Sequence, residues 1–430
     1  MPWNQWYSLK SYIRSSLWIV PFFALLFYVV AIRLVYAVDA WFTWVPFSAW
    51  GASGTRTVLE MIVTLTLTFI VFTFGSLLVA IQVASGQLTP RIIATTLLRD
   101  NAIRFTVGLF VFSLLFAAGV LARQDTAIPQ GVAGLAGLLG FGSIIAFLYL
   151  IDHAARMLRP VSIIWHVGKE GCAVIDSVYP ERVEAGGPFV AASRKLPPPD
   201  HIIVHRGKSA VVLAVNLTAL TALAEKTNTV IEFVPRVGDF VGTGQPLFQL
   251  YGGGSVDARR LRGAVAFGAE RTIEQDSTFA FRIIVDIAIK ALSKAINDPT
   301  TSVLAIDQLQ HLLGVVGNRH LLGEEICDRR GQLRVIFRTP DWEDFVQLTF
   351  SEIRLYGAEN FQVARRLRAM IESLEKTLPP DRCSALRVQL NLLDRMLEKL
   401  DLFPEDLALA RIPDPQGLGG TSDHASETSS

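Results

Sequence analysis

Hydrophobic and polar positions divide this chain into two parts with different periods. Up to residue 159 the apolar residues come in four long runs, Leu17–Val38, Met61–Val83, Phe105–Ala122 and Ile128–Ile151. A helix rises about 1.5 Å per residue, so roughly 20 apolar residues cross the ~30 Å hydrocarbon core of a bilayer. Each run is therefore read as a membrane span. From residue 160 onward the runs shorten, and strand-like alternation and helical i, i+3, i+4 spacing replace them. The pattern predicts a membrane α-helical domain of four transmembrane helices over residues 1–159, followed by an α+β cytosolic region.

The second run organises the first part. It leaves the apolar phase at Ser85-Gly86-Gln87 and restarts at Thr89-Pro90, a good N-cap followed by a residue suited to the first helical position. Residues 90–100 are expected to form an interfacial helix carrying Arg91 and Arg99. Lys10 and Arg14 precede the first run, Arg91, Arg99 and Arg104 follow the second, and Arg156 and Arg159 follow the fourth. The other two connections hold only Arg56 and Arg123. Basic residues collect on the cytoplasmic side of short connections, so both termini are expected in the cytoplasm of a bacterial inner membrane. Trp41, Trp44 and Trp50 then fall where an outer aromatic belt would sit. The first run is too long for a cleaved signal peptide and is read as a retained span.

In the second part, residues 160–266 are expected to form a small cytosolic β-rich module. Pro160 should end the helix that continues the fourth span. His201–His205 and Ser209–Leu217 read as strands, and Ala219–Lys226 as a short helix. Thr229–Leu250 is rich in β-branched and aromatic residues and is punctuated by Gly238-Asp239 and Gly242-Thr243-Gly244. It resembles half of a small barrel of the biotinyl/lipoyl kind, so the module is expected to be β-barrel-like. Lys226 lacks the tight hairpin of a carrier lysine. Residues 267–412 are expected to form a helical module. Asn297-Asp298-Pro299 separates two of its helices, Leu333–Phe337 is strand-like, and helical hairpins fill residues 341–402, with Asp341 as the opening cap and a break at Gly357. Residues 413–430 read as a disordered tail.

Composition narrows the function. The chain has 430 residues and a net charge of +1, which gives no bulk electrostatic case for nucleic acid. Its three cysteines, Cys172, Cys327 and Cys383, are far apart, which suits a reducing compartment. Seven scattered histidines form no ligand pattern, and there is no P-loop, GxSxG or HExxH. No catalytic residue, metal or cofactor is expected, and the reading is non-enzymatic.

Two groups of residues remain as candidates. Thr64, Thr68, Gly75, Gln82 and Gly86 fall within about 40° of one another on the second span at roughly 100° per residue. With Arg91 and Arg99 beyond them they suit a polar pathway, and small or hydroxyl residues equally suit helix packing in lipid. Arg271, Glu274, Gln275, Asp276, Asp286, Asn297 and Asp298 gather charged and polar groups around the helical module's start. They suit either a cation site or a set of helix caps and ion pairs; there is no EF-hand spacing. His153, near the membrane end of the fourth span, is read as a solvated histidine with a pH-sensing role as the alternative.

Two motifs, ASGQLTPRIIATTLLRD and RTIEQDSTFAFR with DIAIKALSKAINDPTTSVLAIDQL, resemble the signatures of an uncharacterised family of bacterial predicted membrane proteins. The resemblance covers roughly Ile13 to Arg411. It implies N-terminal spans with a cytosolic C-terminal region and carries no established activity. The sequence supports a homo-oligomeric channel in the lipid bilayer, passing a small ion, with a cytosolic regulatory domain. The alternative is a membrane-anchored sensor or scaffold that binds a cytosolic partner or ligand.

Overall fold

The computed structural model describes residues 3–39, 52–87, 100–122, 130–157, 159–183, 197–252, 254, 256–321 and 325–419. The chain forms two compact units, residues 12–163, and residues 1–11 together with 164–430. The expected helix 90–99, with Arg91 and Arg99, and the tryptophans of the first connection lie outside the described residues.

In the first unit, the end of α1 (Trp3–Ser15) leads to α2 (Ile19–Asp39), α3 (Ala52–Gln87), α4 (Asn101–Leu121) and α5 (Gln130–Met157). Helices α2 to α5 are each long and apolar enough to cross a membrane, as the four apolar runs require. Helix α3 starts at Ala52 rather than near Met61. The polar residues ahead of the run extend it, with Arg56 and Glu60 paired at 3.1 Å one turn apart. Helix α4 is the hub. It packs against α2, α3 and α5, and 56% of its span is buried, against 0% for α2 and 17% for α3. Phe110, Phe116, Ala117 and Val120 of α4 are fully buried. Phe69 of α3 stacks on Phe147 of α5 at 4.2 Å, and both approach Phe110. The interior of this helix group is closed by aromatic side chains.

The second unit opens with α6 (Pro160–Val178). The helix of the fourth span stops at Met157, ahead of Pro160 as expected, and Pro160 also starts α6, which the expected β-rich module did not include, because its missing N–H is no loss at the first helical position. Ile163, Ile164, Val167, Val174 and Ile175 form its buried face. The strands are β1 (His201–Val204), β2 (Ala210–Val215), β3 (Val230–Phe233), β4 (Phe240–Val241), β5 (Pro246–Tyr251), β6 (Val265–Gly268), β7 (Glu325–Cys327) and β8 (Leu333–Phe337). Helices α7 (Leu217–Thr227) and α8 (Ala258–Gly263) lie between them in sequence.

No barrel forms among the described residues. The strands make two open sheets, β1-β5-β3-β8-β7 and β4-β2-β6. The barrel expectation fails because β3 and β5 do not close on their sequence neighbours. β3 pairs antiparallel with β5 on one side and parallel with β8, from the supposedly helical module, on the other. Strand β4 is only two residues long and cannot carry a closing ladder. The two sheets share one apolar core that includes Val212, Val265, Phe233, Phe248 and Val335, with Leu220 of α7 and Leu261 of α8.

The helical part contains α9 (Ser277–Ala291), α10 (Pro299–Gly317), α11 (Trp342–Gly357), α12 (Phe361–Thr377), α13 (Cys383–Leu397) and α14 (Pro404–Ala410). Asp276, Asp298, Asp341 and Asn360 cap the first four of these, which places the breaks where turn chemistry predicts them. Residues 413–419 are ordered, contrary to the expected tail. Asp414 accepts from the N–H groups of Gln416, Gly417 and Gly419 at 3.1, 2.9 and 2.7 Å. The fully buried Arg365 of α12 donates to the carbonyls of Ile412 and Gly419 at 2.9 and 3.0 Å. These bonds offset the ordering cost of a glycine-rich segment, which composition alone does not reveal. Residues 420–430 lie outside the described residues.

Candidate functional site

The span stripe stays together in the structure. Thr64, Thr68, Gly75 and Gln82 are all exposed on the outer side of α3, away from the aromatic interior. Their hydroxyls are locally satisfied: Thr64 donates to the Glu60 carbonyl at 2.9 Å and Thr68 to that of Thr64 at 2.8 Å. Thr66 and Thr73 are buried instead. The stripe is therefore a surface that one chain leaves to lipid or to another molecule.

The structure also gives His153 a partner. Its Nε2 lies 3.0 Å from Oδ2 of Asp100, so it is not a solvated histidine. Asp100 caps α4 through its other oxygen, which accepts from the Ile103 N–H at 2.9 Å. The next turn places Arg104, buried, with Nη2 donating to the Ile13 carbonyl at 2.9 Å. The aspartate that closes the first sequence motif thus ties α4 to α5. An Asp ahead of an apolar run is an N-cap signal that sequence reading passed over, and nothing local pairs it with a residue 53 positions away. A buried hydroxyl pair, Ser113 and Ser143 at 3.0 Å, joins the same two helices and was also missed.

The polar cluster of the second unit separates into distinct devices. Asp286 and Glu352 both accept from Arg282, at 2.7 Å to its Nε and 2.9 Å to its Nη2. This network pins α11 to α9, and Arg282 holds the Glu352 carboxyl below its usual range. Asn297 takes a left-handed conformation, φ 49°, and Asp298 accepts from Thr301 at 3.0 Å to cap α10. Glu274 is half-buried in the turn before α9. Only Arg271 and Asp276 converge. Arg271 Nε donates to the Gly238 carbonyl at 2.7 Å, and Asp276 Oδ2 abuts the same residue. A Cβ at Gly238 would lie 2.3 Å from that oxygen, and its φ of 92° is itself glycine's territory.

Asp276 is 4% exposed; Oδ1 accepts from Phe279 and Thr278, and Oδ2 has no hydrogen-bond partner among the described residues. Burial pushes its carboxyl above the usual range, against the Thr278 hydrogen bond and the Arg271 charge. Tyr179, at the end of α6, faces Ser277 and Thr339, and burial pushes its hydroxyl up to about 12. These residues with Gln275 and Arg338 line a cavity of about 20 Å³. That is room for one water and not for a substrate. Among the described residues no three His, Cys, Asp or Glu side chains are placed to hold a metal. The arrangement orders the start of α9.

Four spanning helices followed by an α/β unit with two open sheets define a multi-pass membrane protein. Residues 14–373 match the model of the predicted membrane protein family DUF2254, and the chain belongs to that family. An uncharacterised protein of Mycobacterium tuberculosis strain H37Rv and one of Mycobacterium bovis are each 26% identical to it over 420 residues, covering 92% of this chain and 79% of the relative. No solved structure matches it.

Proposed function

We propose that the protein is a homo-oligomeric transport protein whose pathway for a small ion runs between copies along α3. One observation carries this reading: Thr64, Thr68, Gly75 and Gln82 all lie exposed along one side of α3. The aromatic contacts of Phe69, Phe110 and Phe147 close the inside of the single chain, so a water-filled path needs a second copy. Arg91 and Arg99 would supply a positive ring at the inner mouth and favour anions. The α/β unit would then regulate the pathway without catalysing a reaction.

A second reading, a membrane-anchored scaffold, is favoured by exposed apolar side chains on the α/β unit, such as Leu355 and Tyr356 on α11, each 61% exposed. One experiment separates them. Purified protein in liposomes is tested for anion and cation flux against empty vesicles, beside Thr68→Leu and Arg91→Ala. Flux that falls with the leucine and changes selectivity with the alanine supports the pathway. No flux from folded, inserted protein overturns it and leaves the scaffold.

A further inference from the structure

Helix α1 carries two apolar strips. Trp3 and Tyr7 pack on Leu213, Ala214 and Ala266 of β2 and β6. Beside them on the same helix run Trp6, Leu9 and Ile13, three and four residues apart, and these are 50%, 44% and 42% exposed. The rest of the circumference carries Asn4, Gln5, Ser8 and Ser11, with the Tyr12 ring near its C-terminal end. The Nζ of Lys10 lies 4.9 Å from the Trp6 ring centre, at the edge of the uncovered strip.

The end of α1 is fixed at the level where two spans begin. Its Ile13 carbonyl accepts from Arg104 in the first turn of α4 at 2.9 Å. Its Tyr12 hydroxyl accepts from the Trp18 indole at 3.3 Å, just ahead of α2. An exposed strip of Trp, Leu and Ile that ends there meets the boundary between headgroups and acyl chains. Tryptophan favours that layer, because its ring is apolar while its N–H needs a polar partner. A lysine beside it can reach outward to phosphate.

We propose that α1 is an interfacial helix: Trp6, Leu9 and Ile13 insert at the bilayer boundary, and Lys10 binds anionic lipid headgroups. The test uses the full chain in vesicles of phosphatidylcholine, with and without phosphatidylglycerol. A photoreactive diazirine side chain is placed at Leu9, or at Ser8 on the polar arc, and adducts are identified by mass spectrometry. Lipid adducts at Leu9 several-fold above Ser8, enriched in phosphatidylglycerol, support the proposal, and Lys10→Glu should remove the enrichment. Equal yields at the two positions, or adducts from Leu9 mainly to protein, overturn it. An adduct to a second copy would identify the strip as a subunit contact instead.

Discussion

Replacing one glycine by alanine at two positions should change stability in opposite directions. Gly171 lies where α6 crosses α9 and α10. A Cβ there would stand 2.8 Å from the Cβ of Ala280 and 3.1 Å from Cδ2 of Leu312. Carbon atoms prefer about 3.5–4.0 Å, so α6 must withdraw by up to ~1 Å. Ala280 is fully buried, and its Cβ cannot rotate away. Overpacking of this kind costs about 1–3 kcal/mol, while alanine exceeds glycine in helix propensity by about 0.8–1 kcal/mol. Gly171→Ala should therefore destabilise this crossing by about 1 kcal/mol, roughly a fivefold rise in local opening. Gly314 on α10 has nothing within 4 Å of an added Cβ, so only the propensity gain remains. Gly314→Ala should stabilise α10 by about 0.5–1 kcal/mol. Unfolding of a two-unit membrane chain is not a single transition, so local opening is the quantity to read. Hydrogen exchange by mass spectrometry on reconstituted protein would follow peptides from α6, α9 and α10. Equal protection in the two variants would refute the close-crossing argument.

Three further outcomes are expected. Asp276→Ala should cost about 1 kcal/mol by losing the α9 cap, whereas Asn keeps the cap. Because the folded-state carboxyl titrates above the usual range, the stability it contributes is present at low pH and lost as pH rises through its raised value. Asp276→Asn should thus gain on the native protein as pH rises, and exchange protection of α9 peptides over a pH series, set against intrinsic exchange rates, checks the sign. Glu352 runs the other way: its carboxyl is held low by Arg282, so its contribution is present above the usual carboxylate range and lost as pH falls. With Glu352 41% exposed, screening limits the Arg282–Glu352 pair to about 1 kcal/mol, and Arg282→Met should remove that share of acid sensitivity. Asp414→Ala leaves three backbone N–H groups without their acceptor. It should release residues 413–419, at a local cost of about 2 kcal/mol, read as faster protease trimming of the C-terminus.

Much of the architecture was legible in sequence because its signals are local. A span is recognisable from a run of apolar residues, since each crosses hydrocarbon with its own backbone bonds satisfied. The caps Asp276, Asp298 and Asp341 were equally readable, because a cap bonds residues two or three places away. In the same way, Asp276 and Asp298 of the candidate cluster were legible as caps, one of the two readings left open for it.

Other features arise only when distant segments meet. β3 takes β8 as a parallel neighbour from about a hundred residues away, and that choice opens what local patterning suggested as a barrel. The pairing of His153 with Asp100, and of Arg365 with the C-terminal strap, has no short-range signature. Each depends on a buried charge or polar group finding its partner across the fold. The sequence by itself determined four spans, the polar stripe of the second and the caps of α9, α10 and α11, because bilayer thickness and backbone capping act along the chain. The tertiary structure alone decided the sheet order, the ordered C-terminal segment and the outward position of the stripe, because desolvated groups are satisfied through space.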